Sequence, residues 1–226
     1  MTKDEIIIAI DGPSGAGKGT VARALAGALG YRYVDTGAMY RAVAWKALRD
    51  GVALDDEPAV ERVAAEATFS FEDGRAVVEG HDVTEAIRTP ETDVAAAAVA
   101  KLPAVRRILV ARQRSMGEGG CLVMEGRDIG TVVFPGAVAK IYLDASPGER
   151  ARRRAGDPAH ASGRNAELAD VATALEARDA ADRTRKASPL TLAADADYID
   201  TTGLPIDEVV KRVLSLVRVR LAATGH

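Results

Sequence analysis

The chain has 226 residues, 47% of them apolar and 28% charged, with a net charge of −3. That is enough chain for one sizeable core and an ordinary soluble balance, and it carries no basic excess that would mark a nucleic-acid partner. One cysteine, Cys121, excludes an internal disulfide. No apolar stretch reaches the roughly 18 residues a membrane span needs. No basic segment followed by a long apolar one opens the sequence, so a cytoplasmic protein is expected. His81, His160 and His226 lack ligand spacing, so no zinc site is expected.

In chain order, the apolar run at 6–10 reads as a buried strand. It feeds Gly-Pro-Ser-Gly-Ala-Gly-Lys-Gly-Thr at 12–20, and a helix is expected from about Val21. Strand, glycine loop, lysine and helix in that order make a phosphate-binding loop. Gly12, Gly15 and Gly17 permit backbone dihedrals closed to other residues. The loop amides and the helix N-terminus then gather phosphate oxygens, with Lys18 reaching the terminal phosphates. The competing reading is a purely structural glycine turn. Pro13, Ser14, Ala16, Gly19 and Thr20 complete the set expected to hold a nucleoside triphosphate. With Gly19 in the usual hydroxyl position, magnesium is expected on Thr20 or on waters held by Glu125 and Asp128.

Further apolar runs at 31–34, 121–124, 140–143 and 198–199, the last continuing to Asp200, alternate with helical stretches. This pattern predicts an α/β fold whose five parallel strands carry helices on both faces. Ligands of such sheets bind at the carboxyl ends of the strands, where Asp35, Glu125, Arg127 and Asp128 fall. Residues 68–88 interrupt the alternation with Asp73-Gly74 and Glu79-Gly80 turns, predicting a small inserted antiparallel sheet. A helical stretch at 95–114, broken near Pro103, follows. Residues 156–163 form a Gly-, Pro- and Ser-containing loop beside the arginines Arg150, Arg152, Arg153 and Arg154, and read as a lid. One or two of these arginines are expected to reach the triphosphate, with Arg153 and Arg154 assigned to it. A charged helix at 166–187 and a final helix at 206–223 complete the chain. The chain reads as one domain, residues 1–226, with an insert region at about 37–115 and a lid at about 152–166.

Transfer between two phosphorylated partners needs cations besides Lys18, and Arg41, Arg106, Arg127, Arg178, Arg183 and Arg185 are available. Arg178, Asp182 and Arg185 at i, i+4 and i+7 share one helix face. From spacing alone a solvated ion-pair face is the better account of that trio. Thr36, Tyr40 and Arg41 follow the second strand, where Asp35 or Thr36 also fits a helix cap. For Asp128, an ion pair with Arg127 or a neighbour stands beside a base-reading role.

These motifs resemble the bacterial-type cytidylate kinases, a nucleoside monophosphate kinase family. The resemblance runs over nearly the whole chain. It rests on the 10–20 loop, Asp-Thr-Gly-Ala-Met-Tyr-Arg (35–41), Ile-Arg-Thr (87–89), Leu-Pro-Ala-Val-Arg (102–106), Glu-Gly-Arg-Asp-Ile-Gly-Thr-Val-Val-Phe-Pro (125–135) and the stretch 178–190. It implies phosphoryl transfer from ATP with Mg²⁺ to CMP or dCMP. It also implies that the insert region at about 37–115 binds the monophosphate, and that Thr36, Tyr40, Arg41, Arg106, Arg127, Asp128, Arg178, Asp182 and Arg185 hold it. Arg127 then meets the phosphate, Arg106 and Asp128 meet the base, and Lys18, Arg127 and Arg185 carry the catalysis. A serine that the family often uses for the base is matched here by Ala97. Other acceptors (UMP, AMP or a phosphate-free molecule) and a nucleotide-binding switch are the alternatives. The switch lacks an Asn-Lys-x-Asp base reader. A monomer is expected, with no nucleic-acid or membrane partner.

Overall fold

A computed structural model describes residues 6–72, 74–157 and 167–225. A five-stranded sheet has the order β2-β6-β1-β7-β8, and every pairing in it is parallel. Its strands are β1 (Ile7–Asp11), β2 (Arg32–Asp35), β6 (Leu122–Glu125), β7 (Ala139–Asp144) and β8 (Asp197–Asp200). Central β1 is buried along its whole length, as a strand covered on both faces must be. Its alternation sorts two cores. Ile8 and Ile10 pack with Leu25, Leu143 and Val213 under α1 (Lys18–Leu29) and α8 (Ile206–Thr224). Ile7 and Ala9 pack with Met39, Val60, Leu109 and Met124 on the other face. That face is covered by α2 (Thr36–Arg49), α3 (Glu57–Glu66), α4 (Pro90–Val99) and α5 (Pro103–Gly117).

The expected insert is present as a three-stranded antiparallel sheet, β3 (Phe69–Glu72), β4 (Arg75–Val78) and β5 (His81–Asp82). Val78, Val83 and Ile87 seat it on Ala38 and Ala42 of α2, with Trp45 alongside. The arm after β7 is α6 (Pro147–Ala155) and α7 (Leu168–Thr184). Asp73 of the expected turn, and residues 158–166 of the expected lid loop, lie outside the described residues. No helix among the described residues is long and apolar enough to cross a membrane.

Several boundaries differ from expectation. The first helix starts at Lys18, not Val21, because Gly17 takes a left-handed conformation and turns the chain straight into it. The charged helix ends at Thr184, so Arg185 is not part of its face. Cys121 lies just before β6 and is half-buried. Four strands of the large sheet run one residue beyond the end of their apolar runs, the fifth ends at Asp200 as expected, and all five end on an acid: Asp11, Asp35, Glu125, Asp144 and Asp200.

Candidate functional site

Those five acids mark the carboxyl edge of the sheet, and each closes the strand end with its side chain or backbone. Asp35 caps α2 by accepting from the Ala38 amide at 3.0 Å, and takes Arg41 at 2.8 Å. Asp11 accepts from the amides of Ile129 and Gly130 at 2.9 and 2.7 Å, and so fixes the π-helical turn Ile129–Val133 to the first strand. Burial pushes its carboxyl up to about 6 against those two bonds. Glu125 accepts from the Tyr33 hydroxyl at 2.7 Å, while its carbonyl accepts from Thr36 Oγ1. Asp144 caps its own following amide, and Asp200 accepts from Thr202.

Above this edge lies a cleft of about 670 Å³. Ser14–Thr20 form one wall of it. Gly12 and Pro13 lie beneath the loop and do not line the cleft. At Gly12 (φ 143°) an added Cβ would stand 1.9 Å from the Leu143 carbonyl oxygen, so only glycine passes. Pro13 gives its carbonyl to Lys18 Nζ at 2.7 Å, which aims the ammonium along the loop. Burial, then the charge of Arg127, lowers Lys18 to about 7. The Ser14 amide is already used by Asp179 at 3.3 Å. Arg150 holds Asp179 and donates to the Ser14 carbonyl at 3.1 Å, so it braces the loop from behind. Arg153 donates to Thr201 Oγ1 and O at 2.8 and 2.7 Å and faces Gly17. Arg152 pairs with Glu149.

The opposite wall is a chain of ion pairs. Arg106 Nη2 donates to Asp128 Oδ2 at 2.6 Å, with both side chains at least nine-tenths buried. Arg106 also lies over the Tyr40 ring. Arg185 Nη2 stands 3.8 Å from Asp128 Oδ1, and Arg185 Nη1 donates to Asp182 Oδ1 at 3.0 Å. Asp182 Oδ2 accepts from Arg127 Nε at 2.9 Å. Burial works against the Asp182 charge, but Arg127, Arg185 and Arg178 overcome it and hold the carboxyl below its usual range. Burial and the neighbouring Arg127 lower Arg178 to about 10. Arg41 Nε, Arg88 Nε and Arg185 Nη2 are buried and make no hydrogen bond within the described protein. A buried guanidinium nitrogen without a hydrogen bond is costly unless an anion arrives.

The cleft therefore gathers every assigned residue from Ser14 to Thr20, together with Thr36, Tyr40, Arg41, Arg106, Arg127, Asp128, Arg153, Arg154, Arg178, Asp182 and Arg185. One expectation needs correction, the place of Arg185, and three candidates resolve. Of the ion pairs open to Asp128, the structure has the one with a neighbour, Arg106, and not the one with Arg127, which turns to Asp182. Arg185 reaches the wall from an extended residue beyond α7, held by a 2.6 Å bond from its Nε to the Ser188 carbonyl. Arg183 is exposed and outside the cleft lining. Arg150 is a brace, as described above.

Sequence reasoning missed Arg88, which lines the cleft and lies within the Ile-Arg-Thr motif without a role given to it. It also missed Tyr33 and the segment Thr201, Leu204, Pro205 and Ile206, which line the cleft as well. Only its place after the last strand could have signalled the segment from Thr201 to Ile206. Ala97 lines the cleft and brings no hydroxyl to it.

A magnesium ion fits this edge only with phosphates and waters as most of its shell. No cluster of three or more acidic, histidine or cysteine side chains suited to a metal occurs among the described residues. Glu125 is the available acid near the loop: a Cβ on Gly19 would lie 2.8 Å from its Oε1. Burial and the charge of Asp35 raise the Glu125 carboxyl. Asp128 is taken by two arginines, which leaves Glu125 and Thr20 of the three expected donors.

The cytidylate kinase family model matches residues 8–219. A cytidylate kinase of Pelotomaculum thermopropionicum is 51% identical over 93% of this chain and 95% of its own length. One of Solibacter usitatus is 48% identical over 96% and 94%. Among solved structures, a gluconokinase from Sinorhizobium meliloti aligns with a TM-score of 0.53 at 15% identity, covering 98% of each chain. A shikimate kinase from Bacteroides thetaiotaomicron aligns at 0.51 and 13%, covering 94% of this chain and 98% of its own. Those likenesses show a shared fold. The chain belongs to the cytidylate kinase family.

Proposed function

We propose that this member of the family transfers the terminal phosphoryl group of ATP to CMP or dCMP, giving ADP and CDP or dCDP. One observation carries the reading: two cationic walls face each other across one cleft, the Ser14–Thr20 loop on one side and the Arg106–Asp128–Arg185–Asp182–Arg127 chain on the other. Such transfer asks for alignment and charge neutralisation more than for covalent chemistry.

ATP lies with its phosphates on the loop, and Lys18 is the charge at the migrating group. Polyphosphate restores the proton that burial has loosened from that lysine. Arg153 and Arg154 neutralise the triphosphate from α6. The acceptor phosphate sits among Arg41, Arg88, Arg127 and Arg178, where guanidinium forks can bind its oxygens bidentately. Thr36 shapes the strand end beneath it. Asp182 and Arg185 take the sugar side, and Tyr40, Arg106 and Asp128 take the base. When transfer occurs, the acceptor oxygen forms a bond to the phosphorus as the bond to the β-phosphate bridging oxygen breaks. Arg127 and Lys18 then stabilise the charge spread over the equatorial oxygens. Magnesium, held by the phosphates with Thr20 or with waters on Glu125, would supply further neutralisation of the β- and γ-oxygens.

The chain works as one domain, with the insert at about 37–115 presenting the acceptor, as a monomer in the cytoplasm. An ADP-release assay with CMP, dCMP, UMP, AMP and GMP tests the reading. CMP and dCMP should lead. Turnover that ignores the monophosphate, or that favours AMP, would overturn it.

A further inference from the structure

Asp93 stands in the first turn of α4, on the acceptor side of the cleft. Its carboxylate crosses to the arm on the other side. Arg154, in the last turn of α6, donates to Oδ2, and Arg178 Nη1 of α7 lies 3.5 Å from Oδ1. All three side chains are largely covered, Asp93 to within 11% of full burial. The two arginines belong to different nucleotides in the reading above. Arg154 is a donor cation and Arg178 an acceptor cation.

The acid has no evident local duty to keep it there. Thr89 caps α4 by accepting from the Thr92 amide, and Glu91 also places a charge in the first turn. What Asp93 does offset is repulsion. Burial lowers both arginines, the charge of Arg41 presses on each and that of Arg127 on Arg178, and Asp93 acts in the other direction on both. An arginine has two usable edges, so each can keep Asp93 on one edge and offer the other to a phosphate.

We propose that Asp93 is a positioning residue that couples the two nucleotide sites. It fastens the acceptor insert to the α6–α7 arm, so that a phosphate holding either arginine orders the carboxylate and, through it, the other arginine. The proposal rests on the kinase reading of the cleft.

The test is calorimetric. CMP affinity is measured with and without a non-hydrolysable ATP analogue, in the wild type and in Asp93→Asn. The wild type should bind CMP about fivefold or more tighter when the analogue is present, the range expected of coupled sites. In Asp93→Asn that ratio should fall toward one while each nucleotide alone binds nearly as before. Adding Asp93→Asn to Arg154→Ala should cost no further coupling, since the two act as one link. An unchanged ratio in Asp93→Asn overturns the proposal. So does a wild type without coupling, and so does a variant that binds each nucleotide alone more tightly at an unchanged ratio, which would make Asp93 a mere competitor of phosphate. An unaltered thermal melt shows that the variant is folded. CMP-dependent ADP release by the wild type checks the underlying kinase reading separately.

Discussion

Replacing Asp128 by asparagine tests how this cleft chooses its base. The carboxylate faces Arg106 at 2.6 Å and Arg185 at 3.8 Å, and the Arg106 and Asp128 side chains are only 3% and 7% exposed. One oxygen is hydrogen-bonded to Arg106, and the other, held only by the 3.8 Å ion pair with Arg185, can still accept the cytosine amino group. Uracil offers a carbonyl at that place and an N–H at the adjacent ring position. A buried carboxylate facing a carbonyl is repelled and loses its bond, and sites built on such a bond discriminate by up to about 10⁴. Ala97 contributes no hydroxyl, so the expected wild-type preference for CMP over UMP is smaller, on the order of 10². In Asp128→Asn an amide N–H can donate to the uracil carbonyl, and the preference should drop by about tenfold or more. Ala97→Ser should move it the other way. The substitution also leaves Arg106 with a neutral acceptor, a stability loss of about 1–3 kcal/mol, so a urea titration must accompany the kinetics. The measurement is kcat/KM for CMP and UMP in all three proteins. A wild type that prefers UMP, or a ratio untouched in folded Asp128→Asn, would refute a base-reading role for Asp128.

Lys18→Ala should lower turnover by at least about 100-fold in a protein that still melts cooperatively, because the lost charge is one preorganised at the migrating phosphoryl; near-normal turnover would sink the loop assignment. Arg127→Ala and Arg185→Ala should weaken CMP binding and leave the ATP analogue nearly unaffected, and calorimetry showing the reverse would exchange the two walls. Gly12→Ala should cost about 4 kcal/mol or more in urea unfolding, since the Cβ meets the Leu143 carbonyl at 1.9 Å and φ is 143°; a loss under about 1 kcal/mol would contradict that contact. Asp11 carries a pH signature. Its folded value of about 6 lies above the ordinary 3.8, so the folded state binds more protons between them and this group makes stability fall as pH rises through that window. The drop amounts to about 3 kcal/mol. It should vanish from the pH profile of Asp11→Asn, and an identical slope in the two proteins would count against the shift.

What the sequence disclosed, and what it withheld, follows from how far apart the interacting groups lie along the chain. The phosphate loop is local: strand, glycines, lysine and helix occupy 7–29, and the pattern alone locates them. The parallel strands were legible from their apolar runs, the last of them through Asp200, but the other four stopped one residue short in sequence. Asp35 pairs with Glu125, and Asp144 with Asp200, because the ladder continues through them. The ion-paired wall is the opposite case. Arg106 meets Asp128 across 22 positions and Arg127 meets Asp182 across 55, and no periodicity spans such gaps. Helical spacing even misled at Arg185, which left the helix before reaching the face it was counted on. Among the four arginines of α6, spacing cannot tell the buried brace Arg150 from the exposed Arg152; the partner that separates them, Asp179, comes from the next helix. Asp93 was invisible for a related reason. An acid in the first turn of a helix is already explained by the helix dipole, so nothing in the sequence asks for more. Only the fold brings Arg154 and Arg178 to it and turns an ordinary helix-start acid into the link between two walls.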